Sequence, residues 1–223
     1  MSSALTVQYK KLLRHHGPQH WWPITTVEGA RRPPPKPLTD AAAFEIAVGA
    51  ILTQNTAWTN VVKALMNLKR ARLLNVKAIL NTPTARLAKL IKPSGYYRQK
   101  AKKLKALCAW LNREGGSLKR WSGRTPLAEA RTELLTVHGI GPETADSILL
   151  YACGRTTFVI DAYTKRFAST FGIKFKQYEE YQRYFEARLP RSTKLYQEFH
   201  ALIVAWGKHQ PPHTPSLAWP TRP

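Results

Sequence analysis

The stretch 134–166, LLTVHGIGPETADSILLYACGRTTFVIDAYTKR, holds the residues whose types and spacing can do chemistry. Asp161 emerges from the apolar run Phe158-Val159-Ile160 just ahead of Ala162-Tyr163-Thr164-Lys165-Arg166. A carboxylate placed there is partly withdrawn from water while the helix that follows favours its charge, so it can stabilise a cation nearby. The same placement suits a plain helix cap, which aspartate fills routinely. Upstream, Gly139-Ile140-Gly141 followed by Pro142 is a glycine turn running into a helix start. Its backbone N–H groups, with the free donors of the new helix, suit a phosphate oxygen.

For these groups to act, helices must hold them. Leu134, Leu135 and Val137 close one apolar-periodic segment, the glycines reverse the chain, and Pro142 restarts a helix at the one position where a missing amide costs nothing. Ala145, Ile148, Leu149 and Ala152 then share a helix face that Gly154 can end. The expected unit is helix, tight hairpin, helix. An ordinary helix-turn-helix corner with a glycine stop would show the same spacing.

Residues 4–16 read as a short helix, and Trp21-Trp22-Pro23 follows in extended conformation, because the residue before proline avoids the helical region. The two tryptophans can pin this loop to a core. Residues 27–37 read as an irregular, partly polyproline connector. Thr39 or Asp40 caps the next helix, whose stripe is Phe44, Ala47, Val48, Ile51 and Leu52. Thr53-Gln54-Asn55-Thr56 breaks that stripe with polar residues, and Gln54 can cap the helix. Trp58, Val61, Val62, Leu65 and Leu68 give another helix, and Thr82-Pro83 and Thr125-Pro126 start two more. Between them Ser94-Gly95-Tyr96-Tyr97 opens a basic helix with Leu104, Leu107, Cys108 and Leu111 inward and Lys100, Lys102, Lys103 and Lys105 outward. Such a lysine row is either a solvated face or a surface lying near a nucleic-acid backbone.

Two helices follow Asp161, one with Tyr178, Tyr181, Phe185 and Leu189, the other with Leu195, Phe199, Leu202, Ile203 and Trp206. The best strand signal, 156–160, is too isolated to build a sheet, and the closing PPHTPSLAWPTRP reads as irregular. The fold class is therefore all-α.

Thirty-five Lys and Arg stand against thirteen Asp and Glu among 223 residues, a formal +22. The sequence pI is near 10.4. This charge favours a polyanion, nucleic acid before an anionic membrane. No apolar run approaches the roughly 20 residues that span a bilayer, and no signal-peptide pattern opens the chain, so a soluble cytoplasmic protein is expected, nucleoid-associated in a bacterium. Cys108 and Cys153 lie inside apolar helical patterns and read as reduced, buried thiols.

The hairpin pattern LxxVHGIGxxTA followed by VID resembles the helix-hairpin-helix, Gly/Pro-rich loop, catalytic-Asp superfamily of DNA base-excision glycosylases, in its endonuclease III-like branch. Trp21-Trp22-Pro23, Phe44-Glu45, Ile51-Leu52-Thr53-Gln54-Asn55-Thr56, Tyr151-Ala152-Cys153 and Phe199-His200 before Lys208 narrow it. Together they are similar to the 3-methyladenine DNA glycosylase III type.

That resemblance implies two helical domains with the active cleft between them, 38–151 carrying the helix-hairpin-helix and 1–37 plus 152–223 forming the second. It makes Asp161 the catalytic carboxylate, which stabilises an oxocarbenium ion or orients the attacking water. It makes Trp21, Trp22, Pro23 and Phe44 walls of a pocket for a flipped-out cationic base, joined by Glu143 and Lys208. Lys208 reads equally as a surface lysine at a helix end, where its charge suits the dipole. DNA contacts fall to Gln54, Asn55, His138, Gly139, Ile140, Gly141, Thr144 and Lys165, with Gln54 filling the gap that an extruded base leaves. No cofactor and no catalytic metal is expected, while a structural monovalent cation at the hairpin carbonyls is in keeping with the family. Bifunctional relatives carry a lysine where Glu143 stands. Glutamate cannot form a Schiff base, so a monofunctional enzyme is expected. Many endonuclease III relatives hold an iron-sulfur cluster on about four cysteine thiolates, and this chain has two cysteines in all.

The implied function is hydrolytic excision of alkylated bases, 3-methyladenine first, from double-stranded DNA by a monomer with no membrane partner. One rival is an endonuclease III-like glycosylase for mismatched or oxidised pyrimidines. The other is a non-catalytic helix-hairpin-helix DNA-binding protein, which needs the hairpin and the charge but neither Asp161 nor Trp-Trp-Pro.

Overall fold

The computed structural model describes residues 3–208, and among them nearly all regular structure is helical. The proline-rich ending falls outside the described residues. No helix among those described is long and apolar enough to cross a membrane. The chain divides into two compact units, one of residues up to 20 together with those from 156 on, the other of residues 21–155.

The first unit begins with α1 (Ala4–His16), capped by the Ser3 hydroxyl, which accepts the Thr6 amide at 3.2 Å. It resumes with α10 (Ala162–Ser169), α11 (Tyr178–Arg188) and α12 (Thr193–Lys208). Its core is aromatic: Phe158 stacks on Phe185 at 4.8 Å and meets Tyr196 and Phe199 edge-on. Residues 156–160 form no strand, and among the described residues no strand pairs with them. Side chains of α11 take the place of a sheet neighbour: Glu186 accepts the Phe158 amide at 2.8 Å, Gln182 donates to the Phe158 carbonyl at 2.8 Å, and the Tyr178 hydroxyl accepts the Ile160 amide at 3.1 Å. Buried backbone must find partners somewhere, and finding them on α11 fixes the segment that delivers Asp161.

The second unit is built around α2 (Asp40–Leu52), whose Thr39 cap accepts the Ala42 amide at 3.2 Å. Every residue from 42 to 52 is buried, and a helix apolar on all sides has to be wrapped on all sides. The wrapping comes from α3 (Trp58–Arg70), α6 (Tyr97–Arg113), α7 (Leu118–Arg124) and the helical segment after the hairpin. The short α4 (Val76–Asn81) and α5 (Thr84–Leu90) pack on α6.

Three expectations change here. The connector 27–37 is not wholly irregular: β2 (Arg31–Arg32) pairs antiparallel with β1 (Ile24–Thr25), and β1 packs on α2 and α3. That packing groups residues 21–37 with the central unit rather than with the two ends of the chain. The expected outward row on α6 also breaks. Lys100 is only 2% exposed and donates to the carbonyls of Leu52 at 2.8 Å and Ser94 at 2.6 Å. Its ammonium closes the carboxyl end of α2, a terminus that carries negative partial charge. Burial, helped by Lys103 nearby, pushes its pKa down to about 8. Lys103 and Lys105 are half-buried, and Lys102 alone of the four is exposed.

Candidate active site and DNA-binding hairpin

Asp161 occupies the N-cap of α10. Its Oδ1 accepts the Thr164 amide at 2.6 Å, and its Oδ2 lies 3.5 Å from Nε2 of His200, which α12 contributes. The side chain keeps 13% of its surface accessible. Burial alone would push the carboxyl up. His200, as hydrogen-bond donor and as positive charge, together with the Thr164 amide and hydroxyl, outweighs that and holds it below the usual aspartate range. The carboxylate expected to be catalytic is thus also a helix cap, kept ionised by His200 together with Thr164.

The hairpin lies in the other unit. α8 (Leu127–Thr136) ends against Val137, the turn follows, and α9 (Pro142–Ser147) passes into a widened π turn at Ile148–Ala152. The helix expected from Pro142 onward therefore changes pitch within two turns. Gly139 sits at φ +84, and a Cβ there would lie 2.3 Å from Lys103 Cγ, so both the turn and the lysine stem require glycine. Lys103 Nζ donates to Gln54 Oε1 at 2.6 Å, and Gln54 Nε2 donates to the Gly139 carbonyl at 3.1 Å and to Thr144 Oγ1 at 2.9 Å. Gln54 and Thr144 brace the hairpin against α2 and α6. Ile140 is buried, and its amide donates to the Val137 carbonyl at 3.0 Å, so its part in the turn is structural. The carbonyls of Val137 and Gly139 each retain a second lone pair, a donor set that fits a monovalent cation held by backbone oxygens. His138 and Gly141 are exposed, as are Asn55, at φ 52, and Glu143 in the first turn of α9.

The aromatic cluster also belongs to the central unit. Trp22 is 5% exposed and meets Trp58 at 5.4 Å and Tyr151 at 5.3 Å, both edge-on. Trp21 lies 6.2 Å from Tyr151 and stays half-buried, and Pro23 is likewise half-buried while Phe44 is buried on α2. Trp22 is therefore a core anchor, and Trp21 is the indole that keeps accessible surface. The π turn aims Tyr151 at both tryptophans; widened turns of this kind recur at functional sites. Lys165 is exposed on α10 and Lys208 is exposed at the end of α12.

Sequence reasoning did not assign His200 to Asp161 or Tyr151 and Trp58 to the tryptophans, since all three pairings join distant segments. It placed Tyr96 at the opening of α6 but did not show that the residue is 66% exposed, at φ 45. An aromatic ring held out in water is a signal that helical periodicity does not carry.

The family model for the HhH-GPD superfamily base excision DNA repair protein matches residues 48–191, well over half the chain and spanning both hairpin and Asp161. The chain belongs to this superfamily. The HhH-GPD protein is 42% identical over 199 residues to a Methanocaldococcus jannaschii protein provisionally named a DNA repair glycosylase, covering 88% of this chain and 83% of that one. Its fold is similar to the H. pylori 3-methyladenine DNA glycosylase bound to 1,N6-ethenoadenine, with TM-score 0.72 and 32% identity over 92% of this chain and 95% of that one. A trapped endonuclease III–DNA covalent intermediate shares the fold at TM-score 0.72 and 17% identity, over 97% and 92% of the two chains. As a member of the superfamily the chain is a base excision repair DNA glycosylase, and DNA is its partner.

Proposed function

We propose that this glycosylase hydrolyses the bond between deoxyribose and an N3-alkylated adenine, 3-methyladenine foremost, and leaves an abasic site without cutting the strand. The observation that carries the reading is the Trp21–Trp22–Tyr151 cluster, in which two rings are fixed in the core and Trp21 keeps an accessible face. An alkylated adenine carries delocalised positive charge. It gains about 0.5–2 kcal/mol on an electron-rich ring that a neutral purine gains less of. The likeness to a 3-methyladenine glycosylase at 32% identity supports the same choice.

The chemistry follows from the lesion's charge. The C–N bond breaks with its electron pair going to the base, which leaves neutral, so little acid assistance is needed. Positive charge moves to the sugar. Asp161, held ionised by Thr164 and His200, stabilises that charge and orients a water molecule, whose oxygen bonds to the sugar carbon while its proton passes to bulk water. A carboxyl with a lowered pKa is a weak proton acceptor, so charge stabilisation is its larger contribution. Glu143 in the first turn of α9 offers no amine for a Schiff base, so no strand break accompanies excision. Trp21, Phe44 and Pro23 line the base. His138, Asn55, Gly141 and Lys165 meet the duplex, and Gln54 leaves its brace to fill the vacated stack. The protein acts as a monomer.

The test is incubation of the protein with methylated duplex DNA and identification of released bases by mass. Free 3-methyladenine with an intact strand is expected. Release of an oxidised or mismatched pyrimidine instead, or of no base, would remove this reading.

A further inference from the structure

Glu45 is the one charged side chain inside the otherwise buried run of α2, at 5% exposure. A carboxylate in such a place persists only when both oxygens find partners. Oε1 accepts the Thr25 amide at 2.6 Å, Oε2 pairs with Lys69 Nζ at 2.6 Å, and Lys69 in turn donates to the Thr25 carbonyl. Alternate residues of a two-stranded ribbon turn their backbone groups away from the partner strand. Thr26 donates to Ala30 across this ribbon, so Thr25 faces outward, where the ion pair stands in for a third strand.

The same two helices hold the other end of this segment. Gly49, one turn beyond Glu45 on the same face of α2, receives Trp22, whose indole Nε1 lies 3.2 Å from where a Cβ would be. Trp58, three turns before Lys69 on α3, packs edge-on against Trp22. Residues 22–25 are thus gripped twice by α2 and twice by α3. The geometry points to the Glu45–Lys69 pair as a positioning device that sets the Trp21–Trp22 wall relative to α2, and with it the stacking surface for the damaged base. This role rests on the function proposed above, although the placement of the rings does not.

Glu45→Gln keeps the shape of the side chain but loses one acceptor and the charge. It should slow single-turnover release of 3-methyladenine about tenfold or more, because small misplacements of positioning groups cost that much. Affinity for undamaged duplex should stay within about twofold, since the hairpin is untouched. The indole N–H resonances of Trp21 and Trp22 should shift while those of Trp110 and Trp121, packed on each other at 4.7 Å, stay in place. Lys69→Met should act alike and Lys69→Arg should restore most of the rate. Wild-type rates and unmoved indole signals in Glu45→Gln and Lys69→Met would overturn the proposal, and so would a shift of all four resonances together. If the wild-type protein released no alkylated base, the substrate reading would fall and the indole pattern alone would decide the positioning role.

Discussion

Asp161 and His200 face each other at 3.5 Å, carboxylate Oδ2 to imidazole Nε2, while the other carboxylate oxygen holds the Thr164 amide at 2.6 Å. The pair opposes the effect of burial and keeps the acid ionised. Replacing His200 with Phe should let burial prevail and raise the Asp161 pKa. The acid limb of the single-turnover excision rate should then move to higher pH. An unmoved limb would mean that Thr164 alone sets the charge.

The lowered pKa also has a stability sign. A depressed carboxyl contributes stability that is present above the ordinary aspartate value and is lost as pH falls through its lower folded value. Asp161→Asn should flatten that acid-side loss in denaturant titrations below about pH 4. An acid limb as steep as that of the wild type would contradict it.

Lys100 shows linkage of the same sign on the alkaline side. Its pKa is lowered from 10.5 to about 8. Between those values the unfolded chain holds a proton that the folded chain lacks, so stability rises with pH across that window. Relative to Lys100→Met, the wild-type protein should gain on the order of 2–3 kcal/mol from pH 8 to 10.5. Parallel stability curves for the two proteins would show that the amine is not withdrawn from water.

Gly139→Ala combines a left-handed backbone with a Cβ at 2.3 Å from the Lys103 stem. The substitution should cost about 1–2 kcal/mol in thermal unfolding and weaken binding to any duplex, damaged or not. Loss of stability with unchanged duplex affinity would separate the hairpin from DNA.

Local chemistry was legible in the sequence. The helix, hairpin, helix at 127–152 and the aspartate at a helix start follow from glycine, proline and apolar period, because those signals lie within a few residues of each other. The buried face of α6 was legible too, but its lysines were not. Lys100 is drawn inward by a helix end 48 positions away in the chain. His200 reaches Asp161 and Lys69 reaches Glu45 for the same reason: ion pairs between distant segments leave no periodic trace. The two-residue ribbon at Arg31–Arg32 escaped notice among prolines because its stability comes from α2 and α3, not from strand propensity.

Glu143, at the start of α9, bears on strand chemistry. Borohydride treatment of the protein with damaged DNA should trap no covalent complex, as no lysine stands at that position. A trapped adduct would return the chain to the bifunctional group.

The most direct measurement compares base release from methylated duplex by the wild-type protein and by Asp161→Asn, with duplex affinity followed in parallel. The account predicts free 3-methyladenine from the wild type and a loss of about 10²-fold or more in the variant, at affinity within a few-fold. Release by Asp161→Asn at the wild-type rate would contradict it.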